Sequence, residues 1–201
     1  DLGYVRSSLV RKLSTLRTFL NWLLRENELN TDPWPGKTVM KKEVRLPTVL
    51  SQEDAERLMT APDASKDLGA RDKAILELLY AGGFRVSELV GLDMNDANLE
   101  TKEVRVRGKG GKERIVLIGD TARTSVSHYV YKVRPRLARS ANEDKALFLN
   151  RYGSRLSARG VQKIVRYYSL KTGLSDRVHT HTLRHSFATH LLDGGADLRV
   201  V

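Results

Sequence analysis

A short stretch near the end of the chain places an imidazole and a guanidinium on one predicted helix. His181 and Arg184 are three residues apart, so their side chains lie on the same helix face. Chemistry on a phosphate group requires a proton-transfer group beside a cation that binds two oxygens at once. The pair therefore predicts a phosphate site, whose remaining groups must come from elsewhere in the chain.

Two further basic residues occupy positions suited to such a site. Arg85 follows a glycine pair at the start of a predicted helix, and Glu88 lies one turn later, within reach of an ion pair. Lys109 lies in the glycine-rich tip of a predicted hairpin. Each has an ordinary alternative when taken singly. The Arg85–Glu88 contact could be a surface ion pair worth about 0.5 kcal/mol, the lysine a solvated turn residue, and the His-x-x-Arg spacing a coincidence.

The overall composition favours a polyanionic partner. Lysine and arginine number 35 against 24 aspartates and glutamates, a net charge of +11. Such an excess is typical of nucleic-acid-binding proteins, although a basic domain without such a partner remains the alternative. The absence of cysteine excludes disulfides and thiolate metal sites and is compatible with a reducing cytoplasm. No apolar run is long enough to span a bilayer and no signal peptide is present, so we expect a cytoplasmic protein without a membrane partner.

Apolar spacing and turn residues predict a mainly α protein with a small antiparallel β-sheet, an α+β fold. The leucines at the start of the chain give the clearest helical stripe, and Ser51 and Ser157 are suited to capping helices. The predicted helices span residues 5–26, 51–60, 71–81, 84–91, 120–138, 157–171 and 180–193, and another begins at 197. The predicted strands are 103–107 and 113–117, joined as a hairpin, with 146–150 as a third strand.

Three motifs, in this order, resemble the tyrosine recombinase (phage integrase) family of DNA recombinases, and among them the Xer type. They are Ala81-Gly-Gly-Phe-Arg-Val-Ser-Glu-Leu-Val-Gly-Leu92, Val106-Arg-Gly-Lys-Gly-Gly-Lys-Glu-Arg114, and His181-Thr-Leu-Arg-His-Ser-Phe-Ala-Thr-His190 followed by Gly195-Ala-Asp-Leu-Arg-Val-Val201. The resemblance implies the family's catalytic-domain fold at residues 49–201, without its C-terminal end. Residues 1–27 would be the last part of the helical, SAM-like core-binding domain, and residues 28–48 a basic linker. We therefore expect a chain truncated at both ends.

The resemblance also assigns roles to the residues that match its motifs. Arg85 and Arg184 would bind the non-bridging oxygens of the scissile phosphate, where charge builds in the pentavalent state. Lys109 would protonate the leaving 5′ oxygen, and His181 would assist the nucleophile. Glu88 would orient Arg85 or His181 without touching the phosphate.

The family's nucleophilic tyrosine has no match in this chain. The Leu-Gly-His motif and the tyrosine that follow in the family would lie beyond Val201, and none of the seven tyrosines present stands in that context. We therefore expect the chain to bind DNA without cleaving it. Basic residues expected to contact the DNA are Arg11, Lys12, Arg17, Lys41, Lys42, Lys112 and Arg114.

The full-length protein is then expected to be a site-specific recombinase that cuts and rejoins strands through a 3′-phosphotyrosyl intermediate, in chromosome-dimer resolution or DNA integration. The resemblance implies a double-stranded recombination site as partner, a homo- or hetero-tetramer on DNA, a nucleoid-associated location in a bacterium or archaeon, and no metal or other cofactor. The fragment itself is expected to be monomeric. Alternatives are a non-catalytic DNA-binding module of the same fold, a type IB topoisomerase-like nicking-closing enzyme, and last a metal-dependent nuclease.

Two other histidines, His185 and His190, receive structural interpretations, and His128 and His179 are left unassigned. His190 falls on the helical stripe of Phe187 and Leu191 and is predicted to be a buried packing residue. His185 is interpreted as structural, since no motif assigns it a role. A metal held by His181 and His185, four residues apart, is the weaker alternative, because no carboxylate lies nearby in the sequence.

Overall fold

The computed structural model of the chain describes residues 6–34, 49–108, 111–138, 145–176 and 178–195. It divides into two compact units, Asp1–Leu46 and Pro47–Val201. Within the described ranges, no helix has the length and apolarity needed to cross a membrane.

The first unit is built on one long helix, α1 (Arg6–Arg25), as the leucine spacing predicts. Its stripe is incompletely covered, because Leu16, Phe19 and Trp22 remain about half exposed, at 46, 51 and 51%. The rings of Phe19 and Trp22 stack on each other with centroids 6.0 Å apart.

The first residues of the predicted linker fold back onto α1. Arg17 pairs with Asp32 at 3.2 Å and donates a hydrogen bond to the carbonyl of Trp34. The amide of Trp34 donates to Asp32 at 2.9 Å, which closes a local turn. Residues up to 34 therefore belong structurally to the first unit, and the rest of the predicted linker lies outside the described residues.

The second unit combines helices with a small sheet, which confirms the predicted mainly α architecture. Its helices are α2 (Gln52–Thr60), α3 (Asp67–Ala81), α4 (Val86–Gly91), α5 (Asp120–His128), α6 (Arg134–Leu137), α7 (Ala158–Lys171) and α8 (Thr180–Asp193). A π-helical turn, Tyr129–Val133, joins α5 to α6, and a 3-10 turn, Met94–Asp96, precedes the sheet. Ser51 and Ser157 cap α2 and α7 as predicted. The helix predicted from residue 197 lies outside the described residues.

The core of this unit surrounds α3. Ala74, Ile75, Leu76, Leu78 and Leu79 are all fully buried, because α3 packs against helices on several sides, including α2, α5, α7 and α8. A helix that is buried on most of its sides in this way is typical of the centre of a domain.

The start of α3 differs from the sequence prediction, which placed it at Arg71. The helix begins four residues earlier, at Asp67, and contains Gly69 in its first turn. A Cβ on Gly69 would lie 2.0 Å from the carbonyl oxygen of Asp63. The glycine is therefore needed for this close approach, although glycine usually disfavours a helix.

The sheet has three antiparallel strands in the order β1 (Ala97–Asn98), β2 (Glu103–Arg107) and β3 (Glu113–Leu117). In the β2–β3 register, Val104 lies opposite Val116 and Val106 lies opposite Arg114. Residues directly opposite each other share a face of the sheet. Arg114 therefore lies on the face of the buried Val106, whereas Ile115 and Leu117 point to the other face and are 63 and 70% exposed.

The prediction of a third strand at residues 146–150 was wrong. This segment makes only isolated bridges, between Asp93 and Ala146 and between Leu149 and Arg155, and β1 takes the third place in the sheet. Its apolar run is buried in the core, and its backbone is bonded mainly by groups outside a ladder. Tyr129 accepts from the amide of Leu149 at 3.1 Å, and Arg71 donates to the Leu149 carbonyl at 3.1 Å. Burial of an apolar run alone does not distinguish these arrangements.

Candidate active site

A glycine pair brings α4, α8 and β3 close together. Gly83 has a φ of +54°, and a Cβ on it would lie 2.4 Å from the ring of Phe187 in α8. A Cβ on Gly82 would lie within 3 Å of Phe84 and of Val116 in β3. Only glycine allows both the left-handed turn and these approaches, so the pair fixes where α4 begins relative to its neighbours.

Arg85 and Glu88 form the first turn of α4, as their spacing predicts. Arg85 is the N-cap residue, and its backbone amide donates to Glu88 Oε2 at 2.8 Å. Its Nη1 donates to Glu88 Oε1, also at 2.8 Å. The Glu88 side chain is 2% exposed, whereas that of Arg85 is 55% exposed. Glu88 therefore holds Arg85 from beneath while the guanidinium stays open to solvent.

A second arginine binds the same carboxylate from the sheet. Arg114 Nη1 and Nη2 donate to the two oxygens of Glu88 at 2.8 and 2.9 Å, a bidentate pair. Burial alone would raise the pKa of Glu88, but the hydrogen bonds from Arg114 and Arg85 outweigh burial and lower it to about 2. Glu88 is therefore ionised at any ordinary pH.

Arg184 reaches the same region from α8. Its Nη1 donates to the carbonyl of Gly83, so the turn before α4 holds this guanidinium. Partial burial lowers the pKa of Arg184, the positive charge of Arg85 lowers it further, and Glu88 opposes both. The structure thus brings two of the predicted phosphate-binding residues, Arg85 and Arg184, into one electrostatic neighbourhood.

We call Arg85, Glu88, Arg114 and Arg184 the arginine centre. Three guanidinium cations and one carboxylate leave an excess of two positive charges there, which favours an anion of the charge of a phosphodiester or its transition state. A cavity of about 430 Å³ adjoins it, with Arg114 and Arg184 in its lining together with apolar residues that include Val116, Phe187 and Leu191.

His181 and Arg184 line different cavities, although they are only one helical turn apart on α8. It is the second residue of α8, is exposed, and has no hydrogen-bond partner among the described side chains and backbone. It lines a groove of about 490 Å³ between α7 and the start of α8. We call this the α7–α8 groove; its lining is Arg159, Gln162, Lys163, Arg166, His179, Thr180 and His181.

The basic residues of this groove were not singled out from the sequence. Arg159, Lys163 and Arg166 are spaced by four and three residues, so they form one face of α7. All three side chains are exposed, and in the described part of the chain none of them has an ion-pair or hydrogen-bond partner. The helical spacing was visible in the sequence and could have identified them.

Contacts along α8 fix its position. His179 caps it, with its backbone amide donating to Thr182 Oγ1 at 3.1 Å. Farther along, Ser186 Oγ accepts from the amide of Leu50 at 2.9 Å, and His190 Nε2 lies 3.0 Å from the Leu50 carbonyl. Since a carbonyl only accepts, Nε2 carries the proton in this contact.

His190 differs from its prediction as a buried packing residue. It is only partly buried, and its Nδ1 lies 2.8 Å from the hydroxyl of Tyr80 while Nε2 bonds Leu50. Both ring nitrogens are therefore used in holding α8 to α3 and to the chain before α2. His185 is exposed, and its structural interpretation remains a prediction.

The other predicted site residues are distributed as follows. Lys109, Lys41 and Lys42 lie outside the described residues. Lys112 is exposed beside the hairpin tip, and Arg11 and Lys12 are exposed on α1. Arg17 is engaged by Asp32 and Trp34, and Arg114 by Glu88. DNA contact by these residues remains a prediction.

No group of three His, Asp or Glu side chains in the described ranges is arranged to share a metal ion. His181 and His185 thus have no third ligand there.

Comparison with known proteins places the chain among DNA recombinases. The profile described as "Phage integrase family" matches residues 48–201. The tyrosine recombinase XerD of Staphylococcus epidermidis is 46% identical over 201 residues, covering 100% of this chain and 68% of its own. The tyrosine recombinase XerC of Pelotomaculum thermopropionicum is also 46% identical, over 99% of this chain and 66% of its own.

Solved structures agree with this placement. The XerA recombinase crystal structure superposes with a TM-score of 0.69 at 31% identity, over 78% of this chain and 54% of that one. A XerH recombinase bound to difH in a pre-cleavage complex gives a TM-score of 0.75 at 24% identity, over 99% of this chain and 58% of that one, a likeness of fold alone. The chain therefore spans only part of these relatives. With the Arg85 and Arg184 motifs joined in one centre and the profile matching most of the sequence, this chain belongs to the phage integrase family of tyrosine recombinases.

Proposed function

We propose that this chain supplies the DNA-binding and phosphate-activating part of a site-specific recombinase that joins strands through a 3′-phosphotyrosyl intermediate. The observation that carries the proposal is the arginine centre. Its buried carboxylate holds one exposed guanidinium, and the carbonyl of Gly83 holds another nearby. Cations fixed before the substrate arrives stabilise developing charge without reorganising during the reaction.

The proposed reaction divides the work among a few side chains. Arg85 and Arg184 bind the non-bridging oxygens of the scissile phosphate, and Glu88 orients Arg85. A tyrosine attacks the phosphorus, forming a phosphotyrosyl bond while the bond to the 5′ oxygen breaks. Lys109 donates a proton to that oxygen, because an alkoxide is a poor leaving group. His181 assists the attacking hydroxyl.

The α7–α8 groove is proposed to bind the phosphate backbone beside the cleavage site. Arg159, Lys163 and Arg166 present three adjacent cations without protein partners in the described residues, which suits contacts that position DNA without reading its sequence. His181 lines the same groove, so DNA bound there would lie against this imidazole. Proteins named as Xer recombinases bound to difH, among the structural relatives, support a DNA site as the substrate.

The chain from residue 1 to 201 is proposed to bind DNA without cleaving it. Tyr80, Tyr129 and Tyr168 are engaged in the fold, with His190, the amide of Leu149 and Asp72 respectively. Tyr131, Tyr152 and Tyr167 are exposed, at 68, 58 and 60%, but none stands in the family's nucleophile motif. In the relatives' pattern the tyrosine belongs to a later segment.

A suicide substrate tests both parts of the proposal. This is a duplex recombination site with a nick beside the scissile phosphate, so that cleavage traps the protein on DNA. The full-length protein should form a covalent adduct resistant to denaturation, and the 1–201 chain should shift the DNA without forming one. An adduct with the 1–201 chain would refute the missing nucleophile. The absence of an adduct with the full-length protein on its own site would refute the recombinase proposal.

A further inference from the structure

The contact that the sequence did not anticipate is the pairing of Arg114 with Glu88. Twenty-six residues separate the two, and both terminal nitrogens of Arg114 are used in it. Arg85 supplies two more donors, its amide and its Nη1, to the same two oxygens. Four hydrogen bonds on one carboxylate of which only 2% is exposed leave Glu88 little freedom to move.

The sheet register explains why Arg114 reaches this position. Arg114 lies opposite Val106, which is fully buried, so its side chain leaves the inner face of the sheet toward α4. The apolar neighbours Ile115 and Leu117 take the outer face and are mostly exposed. The strand therefore exposes two apolar side chains while an arginine occupies the inward side. Burying a charge costs free energy unless the charge is paired, and Glu88 supplies the partner for Arg114 there.

Arg114 also lies in the strand that follows the hairpin tip. The amide of Gly108 donates to the carbonyl of Lys112 at 2.8 Å and closes the hairpin two residues before Arg114. Arg114 thus connects the base of the hairpin to the carboxylate that holds Arg85.

We propose that Arg114 is a positioning residue: it holds the Glu88 carboxylate so that Arg85 faces the scissile phosphate. The proposal rests on the phosphate chemistry proposed above. It replaces the interpretation of Arg114 as a DNA contact, since the bidentate pair orients the guanidinium of Arg114 toward the buried Glu88 carboxylate and commits one N–H of each terminal nitrogen to it.

The two roles predict different losses. An arginine that binds DNA contributes to affinity and to its salt dependence. A positioning residue contributes to the cleavage step once DNA is bound, because Arg85 is misplaced without it. Single-turnover cleavage at saturating suicide substrate therefore separates the two, when DNA affinity is measured alongside by titration.

The test uses the full-length protein carrying Arg114→Ala, Arg114→Lys, Glu88→Gln and the double variant Arg114→Ala/Glu88→Gln. Arg105→Ala is the matched control, because Arg105 is an exposed arginine on β2 in the same sheet. We expect Arg114→Ala to slow cleavage by about 10- to 100-fold with little change in DNA affinity, because Arg85 is then misplaced relative to the phosphate. The cleavage rate of Arg114→Lys should lie between those of Arg114→Ala and the wild type, because lysine keeps the charge without the bidentate geometry. Arg105→Ala should cleave normally.

The pH profile gives a signature that general loss of structure would not produce. The charged groups acting on Glu88 are Arg114 and Arg85, with Arg184 nearby. Without Arg114, burial should raise the pKa of Glu88, so cleavage by Arg114→Ala should fall additionally toward acidic pH. The double variant, which has no carboxylate at position 88, should be slow without this extra fall, and its loss should be smaller than the two single losses combined.

The experiment distinguishes a failure of the positioning role of Arg114 from a failure of the proposed recombinase function. If the wild type forms no adduct, the recombinase proposal fails and the role of Arg114 in cleavage fails with it. If the wild type cleaves and Arg114→Ala cleaves equally fast, or loses only affinity, the positioning role is overturned. If urea unfolding shows that Arg114→Ala is misfolded, Arg114→Lys decides: a wild-type rate overturns the proposal, and a slower rate at unchanged affinity supports it.

Discussion

The two cationic regions of the second unit are built in opposite ways. In the arginine centre, Arg85 and Arg114 are held by Glu88, and Arg184 by the Gly83 carbonyl. In the α7–α8 groove, the arginines and the lysine project from one helix without partners among the described residues. The first region fixes its cations before any ligand binds, whereas the second leaves them to be ordered by the ligand.

The difference corresponds to two kinds of task. Stabilising a transition state requires charges at fixed positions, since reorganisation during the reaction would raise the barrier. Binding along a phosphate backbone requires only several cations close together, because the binding free energy is shared among several phosphate contacts. Substitutions in the arginine centre should therefore act on rate or stability, and substitutions in the groove on affinity and its salt dependence.

The largest effect is expected from Arg184→Ala in the full-length protein. The loss of a fixed donor to the phosphate should reduce single-turnover cleavage by about 10²–10³-fold. DNA affinity should change far less. Arg136→Ala is the control, because Arg136 is exposed and pairs with Asp67 away from the site. Comparable losses in the two variants would contradict the assignment of Arg184 to the chemistry.

Acid titration of stability tests the carboxylate at the middle of the arginine centre. The pKa of Glu88 falls from 4.5 to about 2 on folding, so the folded state binds a proton less readily than the unfolded state. The resulting stabilisation is present above pH 4.5 and is lost as the pH falls toward 2; it amounts to on the order of 3 kcal/mol.

Urea unfolding of the 1–201 chain between pH 6 and about 3 measures the larger part of this loss. Glu88→Gln cannot titrate, so its free energy of unfolding should fall less steeply with pH than that of the wild type. Parallel pH profiles for the two proteins would show that Glu88 is not held as the structure indicates.

Gly83→Ala tests the turn whose close contact with Phe187 brings α4 and α8 together. Its φ of +54° disfavours a side chain, and the new Cβ would meet the Phe187 ring. We expect a loss of about 1–3 kcal/mol in the free energy of unfolding. Gly91→Ala is a matched control, because no atom lies within 4 Å of its added Cβ. Equal stability of the two variants would contradict the close packing at Gly83.

The smallest effect is expected from a single cation of the α7–α8 groove. The salt dependence of DNA affinity for the wild-type chain should be steep, with a log–log slope near −7 for about eight phosphate contacts. Arg166→Ala should make the slope less negative by about 0.9, with cleavage at saturating DNA unchanged. Arg123→Ala removes a partly exposed arginine that is paired with Asp120, and it should leave the slope as it is. A flat wild-type response would contradict DNA binding by this surface.

Local signals in the sequence predicted much of the second unit. Ser51 and Ser157 cap the predicted helices, the hairpin strands have the predicted bounds, and α8 spans the predicted residues. The Arg85–Glu88 contact followed from a spacing of one helical turn. These features depend on neighbours within a few residues, which the sequence displays directly. The basic face of α7 also depends on local spacing alone, so the sequence was sufficient to predict it.

Other features depended on contacts between distant segments. The run from Ala146 to Leu149 has the composition of a strand, yet bonds from Tyr129, Arg71 and Arg134 satisfy much of its backbone outside the sheet. Gly69 discourages a helix locally, yet α3 passes through it because only glycine fits against Asp63. In both cases packing against another part of the chain outweighed the local preference.

The arginine centre contains both features that the sequence determines and features that only the tertiary structure decides. The sequence alone determined that Arg85, Glu88, His181 and Arg184 stand at helical spacings suited to phosphate chemistry. Alternation along Glu113–Leu117 fits either face of the sheet equally well, so it could not indicate that Arg114 points inward. Only the pairing of β3 with β2, and the packing of the sheet near α4, decided that Arg114 meets Glu88. Likewise, only the packing of α8 beside α7 on one side and β3 on the other decided that His181 and Arg184 line separate cavities.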